Sequence, residues 1–138
     1  MENTNVSTST NSKKLILLVE DDPFLSNILM MKLQKEGLNV IHAIDGDDAL
    51  TKLNEGDYEM VLLDLILPKK NGFEVLETMR QDVRFENTPV IIVSNLGQDS
   101  DMAKARSLGV IDYIVKERLS IDDLINKVKA EIPPEPSV

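Results

Sequence analysis

Apolar and polar positions alternate in blocks along this chain. "KLILLV" (14 to 19) is a continuous apolar run of strand length, and "EDDPF" after it supplies an N-cap in Asp22 and a proline at the first helical position in Pro23. Phe24, Leu25, Ile28, Leu29 and Leu33 then recur at helical spacing, and Gly37 is placed to end that helix. The unit repeats. "LNVIH" (38 to 42) is a second strand, and Ala49, Leu50 and Leu53 give the next helix an apolar side behind Asp45 as its cap. "EMVLL" (59 to 63) is a third strand, followed by a loop with Pro68 and Gly72 and a helix with Phe73, Leu76 and Met79 facing inward. "VIIVS" (90 to 94), a weaker helix over about 99 to 108 ending at Gly109, and "VIDYIV" (110 to 115) complete the strands. Ser120, with Asp123 three residues on, resembles a capping box before Ile121, Leu124, Ile125, Val128 and Ile132.

Five strands thus alternate with five helices. The first, third and fourth are apolar on both faces, which predicts a doubly wound α/β domain with a central parallel sheet covered on both sides. In such sheets the ligand site lies beyond the carboxyl ends of the strands. The residues there are Glu20, Asp21 and Asp22 after the first strand, Asp64 after the third, Ser94 ending the fourth and Lys116 after the fifth. Each has an ordinary reading alone: Asp22 as a helix cap, Ser94 as a turn residue, Lys116 as a solvated charge. Together they are harder to explain that way. Asp64 stands within "MVLLDLILP", an otherwise apolar run, where an ionised carboxylate is expensive to bury without a partner.

Composition narrows the chemistry. The chain has 138 residues, a net charge of −9 and no cysteine. That length suits one domain with a proper core. The charge argues against binding a phosphate backbone, and the lack of cysteine excludes disulfides, thiolate metal sites and a thiol nucleophile. There is no signal-peptide pattern and no stretch near the ~18 apolar residues of a membrane span. The expectation is a cytoplasmic protein with neither nucleic acid nor membrane as a direct partner. Residues 1 to 12, polar and without periodicity, are expected to be a disordered leader, 13 to 132 the domain and 133 to 138 a tail.

Clustered carboxylates repel one another, so an acidic cluster implies a cation, and oxygen-only ligands point to a hard ion such as Mg²⁺. A metal, a carboxylate nucleophile, a lysine and a hydroxyl donor are what phosphoryl transfer to an aspartate requires. Asp64 is the candidate acceptor, with Lys116 and Ser94 set to offset charge on the phosphoryl oxygens.

"LILLVEDDPFL", "VLLDLILPKKNGFEVL", "PVIIVSNLG" and "GVIDYIVKERL" together resemble, in order and spacing over about residues 13 to 132, the receiver domain of bacterial two-component response regulators. The resemblance implies a flavodoxin-like (βα)5 fold with strand order 2-1-3-4-5 and phosphorylation by a histidine kinase or histidine phosphotransfer protein. It matches Glu20 and Asp21 to the acidic pair, Asp64 to the phosphoacceptor, Ser94 to the switch hydroxyl, Tyr113 to the switch aromatic and Lys116 to the family lysine. It adds the Ile66 backbone carbonyl as a metal ligand and makes the face of helix 4, strand 5 and helix 5 the signalling surface. By itself Tyr113 reads as a half-buried core aromatic.

Two positions depart from the family pattern. Glu117 follows the lysine where proline, often after a cis bond, is usual, and Asn95 follows the switch hydroxyl where a small residue is usual. Ile66, Asn95 and Leu96 are expected to tune kinetics: Ile66 and Leu96 offer no hydrogen bond to an attacking water and exclude it by bulk, predicting slow autodephosphorylation. A haloacid-dehalogenase-type phosphatase would need a second acid where Ile66 stands, and neither G-x-G-x-x-G nor a P-loop follows the first strand. "DGDDAL" (45 to 50) fails as a calcium loop because its glycine is misplaced and Gly56 occupies the twelfth position. His42 reads as an ordinary strand-end residue. The expected function is a stand-alone response regulator or phosphorelay carrier, not an enzyme beyond its own phosphoryl transfer and hydrolysis. The alternatives are a receiver-like binding module that works without phosphorylation and a fragment of a larger regulator.

Overall fold

The structure, a computed structural model, describes residues 15–132; the expected leader and tail lie outside them. Strands β1 (Leu15–Val19), β2 (Asn39–Ala43), β3 (Met60–Leu63), β4 (Val90–Ser94) and β5 (Asp112–Val115) alternate with helices α1 (Pro23–Lys35), α2 (Gly46–Leu53), α3 (Gly72–Gln81), α4 (Asp99–Ser107) and α5 (Ile121–Glu131). The five strands form one parallel sheet in the order β2-β1-β3-β4-β5.

The period of two along the buried strands divides the core. Leu17, Val19, Val61, Leu63, Val90 and Ile92 pack against Ala49 and Leu53 of α2, Val75, Leu76 and Met79 of α3 and Ala105 of α4. Their neighbours Ile16, Leu18, Met60, Leu62, Ile91 and Val93 pack against Leu29 and Leu33 of α1 and Leu124, Ile125 and Val128 of α5. Alternate residues face opposite sides, so a strand buried on both must be apolar throughout.

The expected caps form. Asp22 accepts the Phe24 N–H, and Asp45 accepts the Asp48 N–H. At α5, Ser120 accepts the Asp123 N–H at 3.3 Å, one half of the predicted capping box. Two strand boundaries move for a shared reason. Leu38 and Val110, assigned to strands by their apolarity, instead donate back to Leu33 and Ala105 of the preceding helices, beyond glycines with positive φ, Gly37 (+85°) and Gly109 (+76°). Each is a Schellman ending, which consumes the residue after the glycine. Phe24 also departs from expectation. It shares the helical spacing of the apolar residues of α1, yet it is 75% exposed, because Leu29 and Leu33 are the residues that face the sheet.

Candidate functional site: an acidic edge held by one lysine

Sheet register assembles the site. Val19 lies beside Leu63, so Glu20 and Asp64, each the next residue, emerge abreast where β1 and β3 end. Ser94 pairs with Val115, which places Lys116 one step beyond on the outer strand. Glu20, Asp64 and Ser94 are buried, and Asp21 is exposed. Gly72, at the start of α3, lets the helix close onto this edge: a Cβ there would collide with the Asp64 carbonyl.

Lys116 holds the centre. Its Nζ donates to Asp64 Oδ2 at 2.7 Å and to Glu20 Oε2 at 3.0 Å. The Ile66 N–H donates to Asp64 Oδ1 at 3.0 Å, so both carboxylate oxygens of Asp64 are oriented. The Asp22 N–H donates to Glu20 Oε2 at 3.0 Å, giving the capping residue a second task through its backbone. Burial, joined by the charge of Asp64, pushes the Glu20 carboxyl up against the hydrogen bonds from Asp22 and Lys116. Burial works against the Lys116 ammonium too, but its bonds to Asp64 and Glu20 outweigh that and hold its pKa above the ordinary lysine value.

One oxygen from each of Glu20, Asp21 and Asp64 lies within 4.8 Å of the others. Lys116 pairs with two of these three carboxyl groups, and a further cation beside Glu20 would relieve the cost of its ionisation. The donor set is all oxygen, so the residues fit a hard divalent ion.

The remaining predicted residues line the rim. Ser94 Oγ accepts the Leu96 N–H at 3.3 Å, which leaves its proton for another acceptor. Tyr113 is half-buried, and its hydroxyl donates to the Leu96 carbonyl at 2.6 Å, tying β5 to the loop after Ser94. Burial, followed by the charges of Asp101 and Asp64, pushes the Tyr113 phenol up to about 12. Asn95 and Ile66 are exposed, and Leu96 is half-buried against the core. The Lys116–Glu117 peptide is trans, there being no cis bond among the described residues, and a 3₁₀ turn over Lys116–Arg118 follows β5.

His42 had no role on sequence grounds. Its Nε2 lies 2.7 Å from the Glu20 carbonyl oxygen. Its place on β2 beside Leu18 of β1 was the only available signal, and it required the register. No described helix is long and apolar enough to cross a membrane.

Comparison with known proteins agrees with this fold. The family model for the response regulator receiver domain matches residues 16–129. The chain is 39% identical over 116 residues to the uncharacterized transcriptional regulatory protein YcbL of Bacillus subtilis, covering 84% of this chain and 50% of that protein. It is 38% identical over 115 residues to the transcriptional regulatory protein CpxR of Escherichia coli, covering 83% and 47%. The chain therefore spans about half the length of the curated relatives it matches. Among solved structures, the receiver domain of the Francisella response regulator 1452 superposes with a TM-score of 0.78 at 29% identity, covering 86% of this chain and 96% of that one.

Proposed function

Because this chain belongs to the response regulator receiver family, we propose that it accepts a phosphoryl group on Asp64 from a histidine kinase or histidine phosphotransfer protein. The observation that carries this reading is the buried Asp64 carboxylate, aimed by Lys116 and the Ile66 N–H and flanked by Glu20 and Asp21.

An Asp64 oxygen attacks phosphorus, the phosphorus–nitrogen bond of the donor phosphohistidine breaks, and the imidazole leaves with the bonding pair. Mg²⁺ held by Glu20, Asp21, Asp64 and the Ile66 carbonyl would supply charge neutralisation for the incoming phosphoryl oxygens. Lys116 already contacts Asp64 and is positioned to pair with a phosphoryl oxygen, and Ser94 has a proton to donate to another. Apart from the Mg²⁺, the groups in the transfer belong to this chain and its donor, so on this reading the domain promotes its own phosphorylation and hydrolysis.

Output follows through the hydroxyls. If Ser94 turns toward the phosphoryl group, the loop carrying Leu96 moves, and with it the partner of Tyr113. The surface of α4, β5 and α5 then changes affinity for a protein target, by as much as that target distinguishes the two states. The net charge of −9 favours such a target over nucleic acid for this domain.

Incubation with acetyl phosphate and Mg²⁺ should add one labile phosphate by intact mass. Asp64→Asn should add none, and EDTA should suppress labelling. Survival of the same adduct in Asp64→Asn would overturn the assignment, and a wild type that takes no phosphate while still binding partners would favour the binding-module reading.

A further inference from the structure

We infer that His42 is a positioning residue for the acidic edge, acting through the backbone that carries Glu20 and Asp21. A carbonyl oxygen can only accept, so the 2.7 Å contact between His42 Nε2 and the Glu20 oxygen requires the proton on Nε2. That carbonyl belongs to the peptide unit joining Glu20 to Asp21. The unit is planar, so holding its oxygen sets the directions in which both residues leave the strand.

The location makes this restraint matter. The β1–β3 register ends at Val19 paired with Leu63, and the Asp64 N–H takes the Val19 carbonyl, so Glu20 is where β1 leaves the sheet. Its N–H is still held by Ala43 of β2 at 3.0 Å. His42, the residue before Ala43, supplies the hydrogen bond on the other side of Glu20 that a continuing strand would otherwise have made. The ring's own backbone is braced in turn. Lys52 Nζ donates to the His42 carbonyl at 2.6 Å and to Asp48 at 3.1 Å, and the other contact of Asp48 Oδ2 is the Ile44 N–H at 3.0 Å. A continuous path therefore runs from α2 through β2 to the Glu20–Asp21 peptide.

Groups that orient ligands rather than touch the ion characteristically change metal affinity by about 10- to 100-fold when removed. His42 stands in that relation to two of the three carboxylates, and this rests on the reading of the acidic edge as a cation site.

The test is calorimetric titration of Mg²⁺ into the full chain, wild type against His42→Leu and His42→Gln, well below the unfolding temperature of each. Leucine keeps bulk without a donor, whereas glutamine keeps an N–H donor. The expected result is a Kd for Mg²⁺ weakened about tenfold in His42→Leu, with most of it regained in His42→Gln. If His42→Leu does not fold, His42→Thr, which suits a strand but cannot reach the carbonyl, takes its place. A wild type that binds Mg²⁺ alongside a donor-less variant that binds it equally well would overturn the role of His42. Equal weakening in the leucine and glutamine variants would also overturn it, since packing alone would then explain the loss. No binding by the wild type would overturn the cation-site reading itself, and the inference with it.

Discussion

Two half-buried cations stand at opposite ends of this sheet and are held in different ways. Lys116, at the carboxyl ends of the strands, is paired with two carboxylates, Glu20 and Asp64. Among the described residues Arg80, in the last turn of α3, donates only to main-chain carbonyls: Leu108 at 2.6 Å, Thr88 at 2.9 Å, Phe85 at 3.0 Å, and Glu86 and Gly109 at 3.3 Å. Burial lowers the pKa of Arg80, whereas the carboxylates around Lys116 raise its pKa despite burial. Carbonyls carry no proton and accept no phosphoryl group, so the arginine is a permanent clamp between the loops that lead into β4 and β5. Carboxylates can lose their charge, bind a metal or become an acyl phosphate, and the contacts of Lys116 can change with each event. One end of the domain is built to stay, and the other to respond.

After loss of the acceptor itself, the largest expected break in this contrast is Lys116→Met, which should slow phosphorylation by acetyl phosphate by about 100-fold or more, the usual cost of removing one charge-stabilising donor. Asp64→Asn should stop it outright. Arg80→Met should leave the labelling rate within about twofold but cost about 2–3 kcal/mol in urea unfolding, because donors to several carbonyls are lost at once. Labelling that falls as far in Arg80→Met as in Lys116→Met would erase the distinction between clamp and responsive site.

Alkaline titration should separate the two cations further. The pKa of Lys116 is raised in the folded state, so its contribution is complete below the ordinary lysine value and is lost as pH rises through the raised one. Tyr113 acts in the same direction, favouring the folded state below pH 10 and losing that contribution as pH climbs towards 12. Stability followed by circular dichroism should therefore fall above pH 10, less steeply in Lys116→Met, while Arg80→Met should keep the wild-type slope. Tyrosinate absorbance should report both tyrosines above the free value, as burial raises Tyr58 as well.

The smallest effect concerns phosphate lifetime. Ile66 and Leu96 offer no side-chain hydrogen bond to an in-line water, and Leu96 is held in place by the Tyr113 hydroxyl on its carbonyl. Phosphate loss in the Ile66→Asn, Leu96→Glu double variant should be several-fold faster than in the parent. A variant no faster would mean that these side chains do not limit access.

Much of the site was legible before any coordinates. Asp64 stood out as a carboxylate in an apolar run, and Glu20, Asp21, Ser94 and Lys116 each followed a strand. Asp22 and Asp45 announced two helix starts. Less visible was the end of a strand next to a glycine: Leu38 and Val110 are as apolar as their neighbours, but a Schellman bond takes them first. Phe24 misled in the opposite way, matching helical spacing on a side of α1 that packs against nothing in the core.

The sequence by itself determined the order of elements, the caps of α1, α2 and α5, and the edge of the sheet where chemistry gathers. Those follow from local rules: periodicities of 2 and 3.6, capping chemistry, and the fact that every strand of a parallel sheet ends at the same edge. Only the tertiary structure decided that Lys116 bridges Asp64 and Glu20 across 52 and 96 residues of chain, that Arg80 clamps carbonyls 28 and 29 residues away, and that His42 holds the Glu20 carbonyl 22 residues back. The physical reason is the nature of the partners. A main-chain carbonyl is present at every residue and leaves no mark in the amino-acid code, so a side chain that reaches for one can be found only when the register brings the two together.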